Sequence, residues 1–97
     1  MHILDDLTLE SGVVVSHHEV AQITFEVGTN SIYVLVNSWL NTSAKNSEKL
    51  PVVSNIYPLI FNPEDVSAMI AAAEGDIALA TYNALVATHF IDGDLIL

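Results

Sequence analysis

The residues of this chain best suited to chemistry are its histidines and carboxylates. His17 and His18 are adjacent. An imidazole can act as general base, metal ligand or pH-sensitive group near neutrality. Adjacent side chains on a strand point to opposite faces, so this pair cannot close on one metal ion from regular β geometry. A metal site would need His2, His89 or carboxylates brought from elsewhere, and the simpler expectation is a pair of solvated turn histidines. Asp5-Asp6 and Asp92-Gly93-Asp94 are the carboxylate pairs. Glycosidases set two carboxylates across a cleft, and calcium loops need several oxygen ligands at fixed spacing with a distal glutamate. Neither segment has the calcium pattern, and so short a chain rarely builds a substrate cleft alone. Turn formation and solubility account for both pairs. There is no cysteine and no G-x-S-x-G elbow, and the four glycines are scattered singly. Thiolate chemistry, a serine nucleophile on an elbow and a phosphate-cradling loop are therefore not expected. The expectation is a non-enzymatic protein with no catalytic, cofactor-binding or metal-binding residues.

Net charge is −10, and the only basic residues besides histidine are Lys45 and Lys49. Binding to nucleic acid requires several cations to displace counterions from phosphates, and anionic membranes make the same demand. Neither partner fits this chain. No apolar run reaches the ~18 residues of a membrane span, and Met1-His2-Ile3-Leu4-Asp5-Asp6 lacks the basic start of a signal peptide, so a cytoplasmic protein is expected. Apolar residues make up 52% and charged residues 14% of the 97 positions, which predicts a folded single domain over 1–97. With so few charges, part of the surface must be apolar, and large exposed apolar patches mark interfaces. A homo-oligomer, or another protein as partner, is the expectation.

The elements that must position these groups divide the chain in two. Residues 1–62 read as strands and 63–90 as helices. Ile3-Leu4 and Leu7-Thr8-Leu9 suggest a first strand, a turn at Glu10-Ser11-Gly12 follows, and Val13 to Ser16 opens a second. In Glu19–Val27, Ala21, Ile23, Phe25 and Val27 alternate with Val20, Gln22, Thr24 and Glu26, the pattern of a half-buried strand. Gly28-Thr29-Asn30-Ser31 has hairpin composition. The next strand is apolar on both faces, with Ile32, Val34, Val36 and Leu40 on one and Tyr33, Leu35 and Trp39 on the other. Such a strand is central in a layered fold or covered by a partner. Asn41 to Leu50 is a polar loop with room for one helical turn. Pro51 to Phe61 resumes β character, and Pro58 places it at an edge or a bulge. Asn62-Pro63-Glu64-Asp65 predicts a helix start, Gly75 its end and Asp76 the cap of a second helix with the stripe Ile77, Ala80, Ala84 and Leu85. Leu95-Ile96-Leu97 forms a short apolar tail that docks on its own sheet or on a neighbouring subunit. The fold class is α+β: an antiparallel β-meander of about four strands, then two C-terminal helices packed on the sheet. The interface is expected at Tyr33, Leu35, Trp39, Tyr57, Leu95, Ile96 and Leu97.

The whole-chain pattern resembles small virion or tail-associated proteins of tailed bacteriophages and prophages. The features that carry it are Leu7-Thr8-Leu9, a Gly turn and Val13-Val14-Val15, the strand Val20 to Glu26, and the paired strand with Tyr33 and Trp39. A polar insertion from Lys45 to Lys49 and Ala-rich helices at Ala71-Ala72-Ala73 and Ala78 to Ala87, ahead of Phe90-Ile91-Asp92, complete it. The resemblance implies a non-catalytic phage structural or tail-assembly component, working through protein contacts in the host cytoplasm or in the virion. It transfers no catalytic residue. The alternative reading of the residues is a small-molecule-binding or regulatory domain with a pocket between sheet and helices.

Overall fold

The computed structural model describes residues 1–26, 28, 31–60, 71 and 74–97, with Ile60 described for its backbone only. The elements are β1 (His2–Thr8), β2 (Val14–Glu26), β3 (Ser31–Trp39), α1 (Thr42–Asn46), β4 (Val53–Ile60), α2 (Ile77–Thr88) and β5 (Asp94–Ile96). The strands form one antiparallel sheet in the order β4-β3-β2-β1-β5. The fold is α+β, with a β-meander first and a helix toward the C-terminal end.

The sheet has five strands where the sequence pattern gave about four. The extra one is the apolar tail. It returns to its own sheet and pairs with β1, setting His2 opposite Ile96 and Ile3 opposite Leu95. The return is tight at Gly93, where a Cβ would lie 3.0 Å from both Ile3 Cγ2 and the Phe90 carbonyl oxygen. Only a residue without a side chain lets the chain pass that close. Of the two expected C-terminal helices, the second is α2. The first, expected to begin at Asn62-Pro63, falls outside the described residues. Gly75 has φ +83, and Asp76 caps α2 by accepting a hydrogen bond from the Leu79 N–H at 3.0 Å. The polar segment after β3 contains the single turn α1, whose cap is the Asn41 side chain accepting from the Ala44 N–H. No described helix is long and apolar enough to cross a membrane.

One face of the sheet, called inner here, packs on α2. Ile3, Ile32, Val34, Val36 and Leu59 meet Tyr82, Ala84, Leu85 and Phe90 in the core. The small side chains of Ala80 and Ala84, both buried, let the helix axis approach the strands. β2 departs from the simple alternation of its sequence. Val20 is opposite Val36 and Gln22 opposite Leu35, so Ala21 is the extra residue of a β-bulge. A bulge reverses side-chain parity. Val20 therefore joins Ile23 on the core, and Ala21 is exposed. Leu40, expected in line with Val36, lies past the end of β3 and is exposed.

The helix also completes the sheet. Near the bulge, the Tyr82 hydroxyl accepts a hydrogen bond from the Val20 N–H at 2.8 Å and donates to the Met1 carbonyl at 3.2 Å. A phenol thus bridges two backbone groups next to the start of β1. Tyr82→Phe should keep the fold and lose about 1–3 kcal/mol, because the Val20 N–H would be left half-buried without its partner. Urea unfolding of the two proteins, read at equal m-values, checks this.

Candidate functional site

The two adjacent histidines lie in the middle of β2, not in a turn. Both are buried, at 2% and 0% relative exposure for His17 and His18. The expectation of solvated histidines is therefore corrected. The reason is that each face of β2 is covered at this point, by different parts of the chain.

His18 faces the core. Its Nε2 donates to the Asp5 carbonyl at 2.7 Å, which leaves Nδ1 to accept from the Ser38 hydroxyl at 2.7 Å. The tautomer is thus fixed by its partners. The ring also packs on Phe90, with centroids 4.8 Å apart. The Asp5 carbonyl is in reach because the β1–β2 register shifts between Leu4 and Leu7. Burial holds the His18 pKa below its ordinary value, opposed by the hydrogen bond to Asp5. A serine hydroxyl on a histidine nitrogen has the look of a nucleophile–base pair. Here both groups are sealed in the core, so the pair serves to satisfy buried polar atoms.

His17 faces the other side, called the outer face. Its Nε2 donates to Glu19 Oε2 at 2.7 Å, and Thr42 Oγ1 lies 3.0 Å from Nδ1. Glu19 also holds Lys45, at 3.6 Å. The His2 ring stacks on His17 at 4.2 Å, and Trp39 packs against it edge-on at 5.7 Å. Burial and the neighbouring His17 lower the pKa of His2. Thr42 and Lys45 both belong to α1, and the Trp39 indole N–H donates to the Lys49 carbonyl. The hydroxyl–imidazole–carboxylate chain therefore fastens the segment 41–49 onto the sheet. Among the described residues, no group of three histidines or carboxylates is placed to hold a metal ion.

The interface residues read from the sequence separate in three directions. Tyr33 and Leu35 are half-buried on the outer face, opposite Pro58 and Ile56 of β4. Trp39 is buried under the segment just described. Tyr57 faces inward and packs on Phe90 and His89, while Leu95 packs against the core. Ile96 and Leu97 stay exposed, Leu97 at 82%. Sequence pattern missed Ile56, which is 65% exposed and forms a shallow hollow with Gln22, Thr24, Tyr33 and Leu35. Between Glu19 and Glu26, the outer-facing residues of β2, β3 and β4 include no charge. Elsewhere, Asp5, Asp6 and Asp92 line one concavity with Leu4 and Ser16. An open groove of about 560 Å³ separates Leu7–Ser11 from Val53, Asn55 and Tyr57.

The His18 geometry sets a pH dependence. Its folded pKa lies below the unfolded value of about 6.5, so between the two the unfolded chain binds more protons. Its contribution is complete above about pH 6.5 and is lost as pH falls toward the lowered value, at up to about 1.4 kcal/mol per pH unit. His18→Gln keeps a donor and an acceptor but cannot titrate. Denaturation midpoints measured from neutral to mildly acidic pH should fall more steeply for the natural chain than for this variant; equal slopes would refute the assignment. Neither family models, nor characterised proteins, nor solved structures give a match to this chain.

Proposed function

We propose that this chain is a non-catalytic protein-interaction module that acts as an oligomer, within the structural or tail-assembly apparatus of a tailed bacteriophage. The observation that carries the interaction reading is the outer face of the sheet. Tyr33, Leu35 and Ile56 lie there among uncharged neighbours, on a chain of net charge −10. A strongly acidic protein repels its own copies wherever its charges meet. A charge-free apolar surface is where association costs least, and its burial is favourable. The phage assignment draws its support from the strand and helix pattern along the chain. It places the module in the host cytoplasm during assembly and, where incorporated, in the virion.

The other charged and polar features fit this reading. Lys45, one of only two lysines, is engaged with Glu19, so the chain has little to offer a phosphate backbone. His17 and His18 are spent on internal bonds. A small-molecule site has one observation in its favour, the groove between Leu7–Ser11 and β4. That groove is open to solvent.

Sedimentation equilibrium over a wide concentration range tests the proposal. The natural chain should associate, and Leu35→Glu should weaken that association by placing a carboxylate on the charge-free face. A natural chain that stays monomeric at every concentration would overturn the oligomer reading.

A further inference from the structure

The sheet has two edges, β4 and β5, and they differ in kind. β5 is three residues long, includes Asp94 and follows Asp92. Short length and charge are how natural sheets protect an edge from pairing. β4 is eight residues long, and no charged side chain occurs from Leu50 to Ile60.

The register decides which backbone groups of β4 are available. Pro58 sits opposite Tyr33; it has no N–H, and its carbonyl accepts from His89 Nε2 at 3.1 Å. Its position is thus one whose groups point away from β3. In an antiparallel pair such positions alternate along the strand. Ile56 and Ser54 therefore also direct their N–H and C=O groups outward, while Tyr57, Asn55 and Val53 bond β3. Among the described residues, nothing pairs with the outward backbone groups of Ser54 and Ile56.

We propose that β4 pairs antiparallel with β4 of a second copy of this chain, about a two-fold axis through Asn55. This rests on the oligomer reading above and specifies its geometry. The axis sets Ser54 of each copy against Ile56 of the other, and the two pairs exchange N–H···O=C bonds in both directions. Pro58 then faces Val52 of the other copy. Neither has an N–H to offer there: Pro58 has none, and the Val52 N–H is already donated to the Ser38 carbonyl at 2.8 Å. An axis through Ile56 would set Ser54 against Pro58, which cannot donate. An axis through Ser54 would set Ile56 against Val52, whose N–H is occupied. The Asn55 axis alone matches every available group. The absence of charge along β4 lets two acidic copies approach at this edge, whereas Asp92 and Asp94 repel at the other. The Ile56 side chains become diagonal neighbours on the outer face, and the uncharged surface runs on from one copy into the next.

A single cysteine tests the axis directly, because the chain has none of its own. In a pair that exchanges no hydrogen bonds, the Cα atoms are about 4.5 Å apart, within the span of a disulfide. Asn55→Cys should give a disulfide-linked dimer under mild oxidation, while Thr24→Cys, exposed on the outer face away from β4, should not. Ser54→Pro and Ile56→Pro remove an N–H the chain does not use internally. Each should fold as the natural chain does, by circular dichroism, and weaken association by at least about tenfold. Ser54 and Ile56 amides should exchange more slowly as protein concentration rises. Association that survives both proline variants but is lost in Leu35→Glu would overturn the edge pairing and keep the outer-face module. A dimer that Asn55→Cys fails to cross-link would overturn it too. A natural chain found monomeric throughout would overturn both.

Discussion

Two imidazoles leave adjacent positions of β2 in opposite directions, and the rest of the structure is arranged around what they bond. His18 ties β2 to Ser38 of β3 and to the backbone of β1 on the inner face. His17 ties it to Thr42 of α1 and, through Glu19, to Lys45 on the outer face. In a chain with so few lysines, histidine supplies the buried donors that elsewhere come from longer cations. A neutral ring can be buried at a modest cost once both nitrogens are satisfied, whereas an unpaired ammonium or guanidinium cannot. No buried side-chain nitrogen or oxygen among the described residues lacks a partner.

This arrangement separates the sheet into regions with different roles. Around His17 and His18 both faces are covered, by the segment 41–49 on one side and by Phe90 on the other. Further along β2 and β3, past the bulge at Ala21, only the inner face meets the helix. There Ile56, Leu35 and Tyr33 remain on the outer face with neutral neighbours. Three carboxylates, Asp5, Asp6 and Asp92, line a separate concavity.

Much of the fold was legible from the residues. Alternation in β2, apolar content on both faces of β3, Pro58 at an edge and Asp76 ahead of an apolar helix are local signals, and each has its element. The candidate surface was half legible. Tyr33 and Leu35 follow from strand periodicity, which says that they share a face. Trp39 shares that face as well, yet it is buried because α1 and the residues after it fold back over one end of β3. Ile56 was passed over because it sits in a run, Val52 to Phe61, whose apolar residues show no clean alternation until the register with β3 assigns them.

By itself the sequence determined the class of fold, the strongly negative net charge and the small share of charged residues, since composition and short-range spacing set all three. Tertiary structure alone decided the remainder. A bulge at Ala21 reversed the faces of β2, a tail became the fifth strand by pairing with β1, and two histidines read as exposed became buried polar groups of the sheet. Each of these depends on residues far apart in the chain arriving at one place. Local pattern says which way a side chain can point, but not what will be waiting there.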